Sequence, residues 1–245
     1  MDRVIYTAMS AANAALNRQT ITANNMANST TAGFRAQLAA FRTVPVEGET
    51  LRTRALVVES TPFSDNSLGP ITHTGRNLDV ALPQNGFLAV ALPDGNEGYT
   101  RNGNIEVDQE GRMSVNGNFL MGDGAPLVAP PNSHLTVAED GSITALGAGD
   151  EPTSSVLVGR LKMVNAQIEA LVRTDDGLFR PIGGGTLPLD DGLLLSPESL
   201  EGSNVSPVKS MAEMIANARG FEMNMKVIRT ADENAQKANQ LFSVS

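Results

Sequence analysis

The sequence contains no cysteine and no tryptophan, and only two of its 245 residues are histidine. The absence of cysteine excludes disulfides, thiolate metal sites and cysteine nucleophiles. Two histidines leave few candidate ligands for a zinc site or members for a catalytic triad. Aromatic residues make up 4% of the chain, which is little for a protein with one dense core. The length is enough for one large domain or two smaller ones.

Positive charge is also scarce. The chain has 18 basic and 27 acidic residues, a net charge of -9, which argues against binding nucleic acid through phosphate contacts. The charge is unevenly distributed: residues 1–42 carry net +3, residues 204–245 carry net +1, and the middle carries net -13. The two ends and the middle are therefore expected to be different structural parts.

Long apolar runs are missing. No stretch approaches the length of about 20 apolar residues that a membrane-spanning helix needs, so none is predicted. The first residues lack a basic segment followed by a continuous apolar one, so we expect no cleavable secretory signal.

The first segment, 1–33, is predicted to be a helix followed by a stop signal. It is rich in alanine, has no glycine or proline before Gly33, and carries a cluster of turn-forming residues at 28–33. Its apolar seam alternates steps of four and three, which is typical of a coiled coil. The seam consists of Ile5, Met9, Ala12, Leu16, Gln19, Ala23 and Met26.

The last segment, 205–245, is predicted to be a second helix. Ser206 can cap it and Pro207 suits its first position, so it would run to about residue 242 over roughly 54 Å. Gly220 is either a tolerated weak point or a place where a partner helix approaches closely. The seam again has steps of three and four, at Met214, Ala218, Phe221, Met225, Ile228, Ala231 or Asp232, Ala235, Ala238 and Phe242.

The middle, 76–180, is predicted to be an antiparallel β-domain. Residues 87–92 are apolar on both faces, as in a buried strand, and Asn-Gly and Asp-Gly turns recur closely. One hairpin is expected around Asp140-Gly141. The flanking stretches 34–75 and 181–204 are expected to be extended linkers that run alongside each other. The predicted fold class is α+β, with the terminal helices pairing as a coiled-coil-like core.

No catalytic, cofactor or metal site is predicted. The adjacent carboxylates at Asp175-Asp176 and Asp190-Asp191 lie beside glycines and suit solvated turns. His73 and His134 have no second ligand at metal spacing. The chain is therefore not expected to be an enzyme.

Two apolar seams at opposite ends of a chain favour assembly. An isolated amphipathic helix gains its stability by burying its apolar face, so the seams should pack on each other and on neighbouring copies. A head-to-tail contact that does not close produces a helical filament. The alternative is a soluble carbohydrate- or ligand-binding β-domain with helical extensions. Hydrogen exchange distinguishes a filament subunit from this alternative. The alternative predicts that the backbone amides at both ends of the chain are protected from exchange in a monomer.

Two motifs resemble the signatures of bacterial flagellar rod and hook proteins. One is the Ala-Asn-Asn-Met-Ala-Asn run at 23–28 with Gly33-Phe34-Arg35, and the other runs through 200–205 and into the last helix. The resemblance assigns these residues to assembly: Asn24, Asn25, Met26, Ala27, Asn28, Gly33, Phe34, Glu201, Asn204, Val205, Met214, Ile215, Ala218, Arg219, Phe221, Glu222, Met225 and Ile228. We expect the three asparagines to end the helix and bond backbone, and Gly33 to adopt a positive φ.

The resemblance implies a structural subunit of the proximal flagellar rod, without enzymatic activity. It implies location in the basal body, export through the flagellar type III apparatus, and contacts with copies of itself and with other rod proteins, including the distal rod protein. A distal rod or hook protein remains an alternative, but the opening Met-Asp-Arg and the length argue against both.

Overall fold

The structure, a computed structural model, describes residues 2–45, 55–59, 63–147, 154–174 and 176–243. The chain forms two compact units. The helical unit comprises residues 1–29, 37–63 and 205–245, and the β unit comprises residues 30–36 and 64–204. Parts of the predicted first linker (46–54 and 60–62) and Asp175 lie outside the described residues.

Two long helices dominate the helical unit, as the sequence predicts. They pack along each other, and the short strands of this unit lie beside the first. The predicted start of the second helix at Pro207 is confirmed, and the first ends before the turn-forming cluster. The elements are α1 (Asp2–Ala27), β1 (Gln37–Leu38), β2 (Phe41–Pro45), β3 (Ala55–Glu59) and α2 (Pro207–Ser243). The strand β4 (Phe63–Ser64) follows at the boundary of the two units.

The helix α1 buries two of its sides within the helical unit. One stripe faces α2 and includes the buried residues Ala12 and Thr22; the Thr22 hydroxyl lies 3.5 Å from the side-chain amide of Asn217. The other stripe lies against the antiparallel pair β2–β3. There, the Ser10 hydroxyl donates to the carbonyl of Val57 at 3.0 Å.

Some members of the predicted seam of α1 are exposed in the single subunit. Ala12 is buried, but Met9 and Leu16 are 47% and 46% exposed. The reason is that alanines at intervening positions are small enough to bring neighbours close, so the buried stripes run through them rather than through Met9 and Leu16. Coiled-coil geometry between α1 and α2 stays a prediction.

The β unit is built from short antiparallel strands. Its largest sheet has eight strands in the order β16-β17-β8-β7-β11-β10-β9, with β15 also pairing with β7. A three-stranded sheet has the order β12-β13-β14. The strands are β5 (Ile71–His73), β6 (Val80–Ala81), β7 (Gly86–Ala91), β8 (Glu97–Thr100), β9 (Glu106–Val107), β10 (Met113–Val115), β11 (Asn118–Leu120), β12 (Ser133–Val137), β13 (Ser142–Gly147), β14 (Val156–Arg160), β15 (Met163–Asn165), β16 (Leu171–Arg173), β17 (Phe179–Pro181), β18 (Ser196–Pro197) and β19 (Ser199–Glu201). A 3₁₀ helix, Ile168–Ala170, precedes β16.

The turn chemistry produces the predicted hairpins. Asn116 and Gly117 both have positive φ, 51° and 78°, as a two-residue turn between β10 and β11 requires. Gly141 has a φ of 82° in the turn between β12 and β13, whose pairing confirms the hairpin expected around Asp140-Gly141. The predicted buried strand is β7, and its first five residues are buried.

The stretches predicted as linkers carry short strands of their own. The antiparallel pairing of β5 with β19 joins residues of the first stretch to residues of the second, so the two stretches run alongside each other there. Each strand is only three residues long and lacks an apolar alternation, which is why the sequence suggests irregular chain. The division into 34–75, 76–180 and 181–204 stays a prediction.

Two hydrophobic clusters form the core of the β unit. The larger is centred on aliphatic side chains such as Leu88, Ile143 and Met163. The smaller contains Phe87 and Phe179, whose rings meet edge to face at 5.4 Å. The smaller cluster thus contains three of the ten aromatic residues, Phe87, Tyr99 and Phe179, and aliphatic residues fill the larger one.

The backbone around Gly103 leaves no room for a side chain. A Cβ at this position would lie 1.7 Å from the carbonyl oxygen of Val80. We therefore expect Gly103→Ala to lower the free energy of unfolding of the β unit by about 3 kcal/mol, measured by urea denaturation. Gly183→Ala is the matched control, because a Cβ there meets nothing within 4 Å. Equal stability of the two variants would contradict this account of Gly103.

Candidate assembly interface and the signature residues

Asn25 and Asn28, two of the three asparagines of the first signature, bond backbone near the end of α1. The side chain of Asn25 donates to the carbonyl of Gln37 and accepts from its amide, both at 2.8 Å. The side chain of Asn28 donates to the carbonyl of Asn24 at 2.9 Å, in the last turn. The bonds of Asn25 tie the end of α1 to β1, and the bond of Asn28 adds a second donor to the carbonyl that the Asn28 amide already bonds.

Gly33 adopts the positive φ expected of it, 67°. Its amide donates to the carbonyl of Glu201 at 2.8 Å. A Cβ on Gly33 would lie 2.4 Å from the backbone of Arg101, so this position requires glycine for space as well as for conformation.

Glu201 is the centre of a buried ion cluster in the β unit. Its side chain is 1% exposed and lies between two guanidinium groups that are fully buried. One carboxylate oxygen is 3.0 Å from Nη2 of Arg35 and also accepts from the amide of Gly69 at 2.9 Å. The other accepts from Nη2 and Nε of Arg101, at 2.6 and 3.0 Å. A carboxylate removed from water is stable only with partners of this kind.

Arg101 has further acceptors around it. Its guanidinium donates to the backbone carbonyls of residues 82, 83, 84 and 86, at 2.7 to 3.1 Å. Burial lowers the pKa of Arg101, the Glu201 carboxylate raises it, and the positive charge of Arg35 lowers it. The guanidinium therefore links the residues just before β7 to the end of β19.

The guanidinium of Arg35 has far fewer polar partners than that of Arg101. Its three guanidinium nitrogens are buried and make no hydrogen bond, so the ion pair with Glu201 is its polar contact among the described residues. The cluster holds two positive charges and one negative charge. Beside it, the guanidinium of Arg173 lies 4.1 Å from the centre of the Phe34 ring and donates to the carbonyl of Arg35. Burial lowers the pKa of Arg173.

Asn204 joins two further chain segments of the β unit. Its side-chain oxygen accepts from the amide of Ala36 at 2.7 Å. Its side-chain amide donates to the carbonyl and the hydroxyl of Ser67, at 3.0 and 3.2 Å. Asn204 thus connects the residues after Gly33 with the residues before Gly69.

The signature residues are divided between the two units and differ in exposure. Gly33, Phe34 and Glu201 are buried inside the β unit, and Asn204 is half-buried there. In the helical unit, the half-buried members are Asn25, Met26, Asn28, Val205, Met214, Phe221, Met225 and Ile228. The exposed members are Asn24, Ala27, Ile215, Ala218, Arg219 and Glu222. Only the exposed group is free to contact another molecule without rearrangement.

Between residues 4 and 27, a third side of α1 is exposed and carries no charge. Arg18 is the one charged residue between positions 4 and 34. Its guanidinium lies 4.7 Å from the ring centre of Phe41, on the side covered by β2–β3. The exposed side of α1, hereafter its outer face, consists of Tyr6, Met9, Asn13, Leu16, Asn17, Thr20, Ala23, Asn24 and Ala27.

The helix α2 also exposes apolar residues. Val208, Met211 and Ile215 lie on the side of the helix away from the half-buried residues, near its start. Farther along, Met223 and Val227 line an open apolar groove of about 570 Å³, together with Val4 of α1. A Cβ on Gly220 would meet nothing within 4 Å, so no described part of this chain approaches it closely.

Arg101, Gly69 and Gly103 have structural roles that the sequence did not reveal. Arg101 and Gly103 lie in a Gly-Tyr-Thr-Arg-Asn-Gly run, a pattern that predicts a turn and gives no indication of a buried charge.

Among the described residues, no group of three or more potential ligands could hold a metal ion. No helix in this part of the chain is long and apolar enough to cross a membrane.

A second polar cluster lies around Tyr99, which is fully buried. Its hydroxyl donates to Glu97 at 2.8 Å and accepts from the amide of Leu187 at 2.6 Å. Lys162 donates to both carboxylate oxygens of Glu97, at 2.6 and 2.8 Å. Burial raises the pKa of Tyr99 to about 12; Glu97 adds to the rise and the Leu187 amide opposes it.

Relatives of the chain are flagellar rod proteins. It is 51% identical to the flagellar basal-body rod protein FlgF of Salmonella typhimurium and 50% identical to that of Escherichia coli, with both chains covered completely in each case. The chain belongs to the FlgF family of flagellar basal-body rod proteins. It is also 32% identical to a flagellar basal-body rod protein FlgG of Buchnera aphidicola, over 90% of this chain and 92% of that protein.

Family models match the two ends and the middle separately. Residues 5–35 match the flagella basal body rod protein model, and residues 196–241 match the C-terminal model of the flagellar basal body rod FlgEFG proteins. Residues 81–145 match the D1 domain of the flagellar hook proteins FlgE/F/G. The resemblance of both signatures to this family is confirmed.

The raised pKa of Tyr99 predicts a loss of stability at high pH. In the unfolded chain the hydroxyl ionises near pH 10, and in the folded chain near 12. Its contribution to the free energy of unfolding is therefore full below pH 10 and is lost as the pH rises to 12. Denaturation at several pH values should show this fall, and Tyr99→Phe should reduce it. The control is Tyr6→Phe, at the other, exposed tyrosine; an unchanged fall in Tyr99→Phe would refute the assignment.

Proposed function

We propose that this chain is a structural subunit of the proximal flagellar rod, which polymerises through its terminal helices and helps transmit motor torque to the hook. Family membership over the full length of the chain supports this function. The observation that carries the mechanism is the outer face of α1, which is exposed, partly apolar and without charge.

An exposed helix face of this kind is unusual for a surface that stays in water. Surface helices of monomeric proteins normally place charged residues on their solvent side. Here large apolar side chains, Tyr6, Met9 and Leu16, alternate with asparagine and threonine. Burial of such a face against a neighbouring helix removes apolar area from water without desolvating any charge. The outer face therefore suits a repeated subunit contact.

The exposed signature residues of α2 extend this contact surface. Ile215 and Ala218 offer an apolar and a small side chain, and Arg219 and Glu222 offer opposite charges on the same side. We assign to these residues, and to the outer face of α1, the contacts with neighbouring subunits. The half-buried members, such as Met214 and Phe221, hold α2 against α1 within the subunit.

The partners that fit this function are copies of the same chain and other rod proteins, including the distal rod protein. The subunit reaches the basal body through the flagellar type III export apparatus and performs no enzymatic reaction. Its net charges support the arrangement: the two ends are close to neutral and can stack, while the middle carries -13 and stays solvated.

Torque transmission requires a stiff assembly, and the helical unit supplies two sources of stiffness. A 37-residue helix gives about 55 Å of continuous hydrogen-bonded backbone. The β2–β3 pair packs along α1, with Ser10 bonded to both the amide and the carbonyl of Val57, which resists sliding of the strands along the helix.

A charge placed on the proposed contact surface tests the assembly mechanism. Leu16→Asp and Ala218→Asp each put a carboxylate on an exposed position, so the subunit itself should fold normally. In the rod, the carboxylate would be buried without a partner, at a cost of several kcal/mol per contact. We expect loss of swimming, and loss of the subunit from purified basal bodies, in a strain that carries only the variant.

The matched control is Leu194→Asp, which places the same charge on an exposed leucine of the β unit. This variant should retain swimming and incorporation. Circular dichroism of all three purified variants should match the unaltered protein. Normal rods from Leu16→Asp and Ala218→Asp would overturn the assignment of these faces to assembly.

A further inference from the structure

Three segments of the β unit are fastened to it mainly by polar contacts. They are residues 33–36, 65–69 and 201–204. The contacts that join them include the Glu201 ion cluster, the bonds of Asn204, and the bond from the Gly33 amide to the Glu201 carbonyl. A backbone bond from the Asp65 amide to the Ala36 carbonyl also joins the first two segments. We call this set of contacts the polar lock.

The hydrophobic clusters of the β unit do not include these segments. The members of both clusters, within the described residues, come from positions 78 to 195. Phe34, the large apolar side chain among the three segments, stacks against the guanidinium of Arg173 instead. Apolar burial therefore holds the β core together, while the three segments depend on the lock.

The charge of Glu201 decides whether the lock is closed. With the carboxylate in place, one negative charge stands between two guanidinium groups that have no exposed atoms. Without it, two like charges would face each other in a buried space, and Arg35 would lose its ion pair. Arg101 would retain its four carbonyl acceptors. The structure can escape this repulsion by releasing the segment that contains Arg35.

We propose that the polar lock is a conformational device: its closure by Glu201 fastens the three segments, and its opening frees them while the β core stays folded. The contacts span 100 residues from Arg101 to Glu201, 132 from Gly69 to Glu201, and 168 from Ala36 to Asn204. The lock therefore closes only when segments far apart along the chain have come together.

This placement gives the buried signature residues a role within the subunit. Gly33, Glu201 and Asn204 close the lock, whereas the exposed signature residues serve contacts between subunits. The inference does not rest on the proposed rod function, because it concerns the folding of a single chain.

Hydrogen exchange of the full-length chain tests the proposal. In Glu201→Gln, we expect backbone amides of 31–36 and 65–70 to exchange at least about tenfold faster, since local opening replaces global unfolding as their route to exchange. Amides of β7 should exchange at the unaltered rate. The control is Glu198→Gln, which removes a half-exposed carboxylate three residues away; it should leave both regions unchanged.

Three outcomes would overturn the proposal. The first is unchanged exchange at 31–36 and 65–70 in Glu201→Gln. The second is an equal acceleration in Glu198→Gln. The third is an equal acceleration of exchange in β7 of Glu201→Gln that persists when Arg35→Met is added. The double variant Glu201→Gln/Arg35→Met no longer contains two like charges in the buried space. If its β7 amides exchange slowly again while those of 65–70 still exchange fast, the lock opens separately from the β core and the proposal is supported.

Discussion

A carboxylate that is buried beyond the reach of water requires positive and hydrogen-bonding partners, and Glu201 obtains them from distant parts of the chain. The Gly69 amide donates to its carboxylate and the Gly33 amide donates to its backbone carbonyl. A Cβ on Gly33 or Gly69 would collide with neighbouring backbone at 2.4 and 2.0 Å. Arg101 reaches the carboxylate from the opposite side and is itself held by carbonyls before β7. The close approach of backbone at Gly69 thus places one of the hydrogen-bond donors that this buried charge requires.

Local patterns were sufficient to predict the elements of the fold. Alanine-rich sequence without glycine or proline predicted α1, Pro207 marked the start of α2, and Asp140-Gly141 predicted a hairpin. The orientation of α1 could not be predicted in the same way. Its apolar and small residues surround most of the helix, so periodicity alone does not distinguish the sides that face α2 and β2–β3 from the outer face that carries Leu16.

Local sequence patterns could not predict the ion cluster, for a different reason. Arg35, Arg101 and Glu201 are each ordinary charged residues by composition, and their separation along the chain exceeds any helix or hairpin spacing. The resemblance to a family assigned roles to Glu201 and Gly33, and it suggested contacts between subunits for both. Neither arginine was given a role, because a buried arginine and a solvated arginine have the same sequence signature.

The outer face of α1 has a consequence for how contacts made through it respond to their surroundings. Dissolved ions screen interactions between charges over about 10 Å or less at ordinary ionic strength, but they have nothing to screen where no charge exists. The outer face offers only aromatic, thioether, aliphatic, amide and hydroxyl groups. A joint made of such groups would be less sensitive to screening by dissolved ions than a joint made of ion pairs.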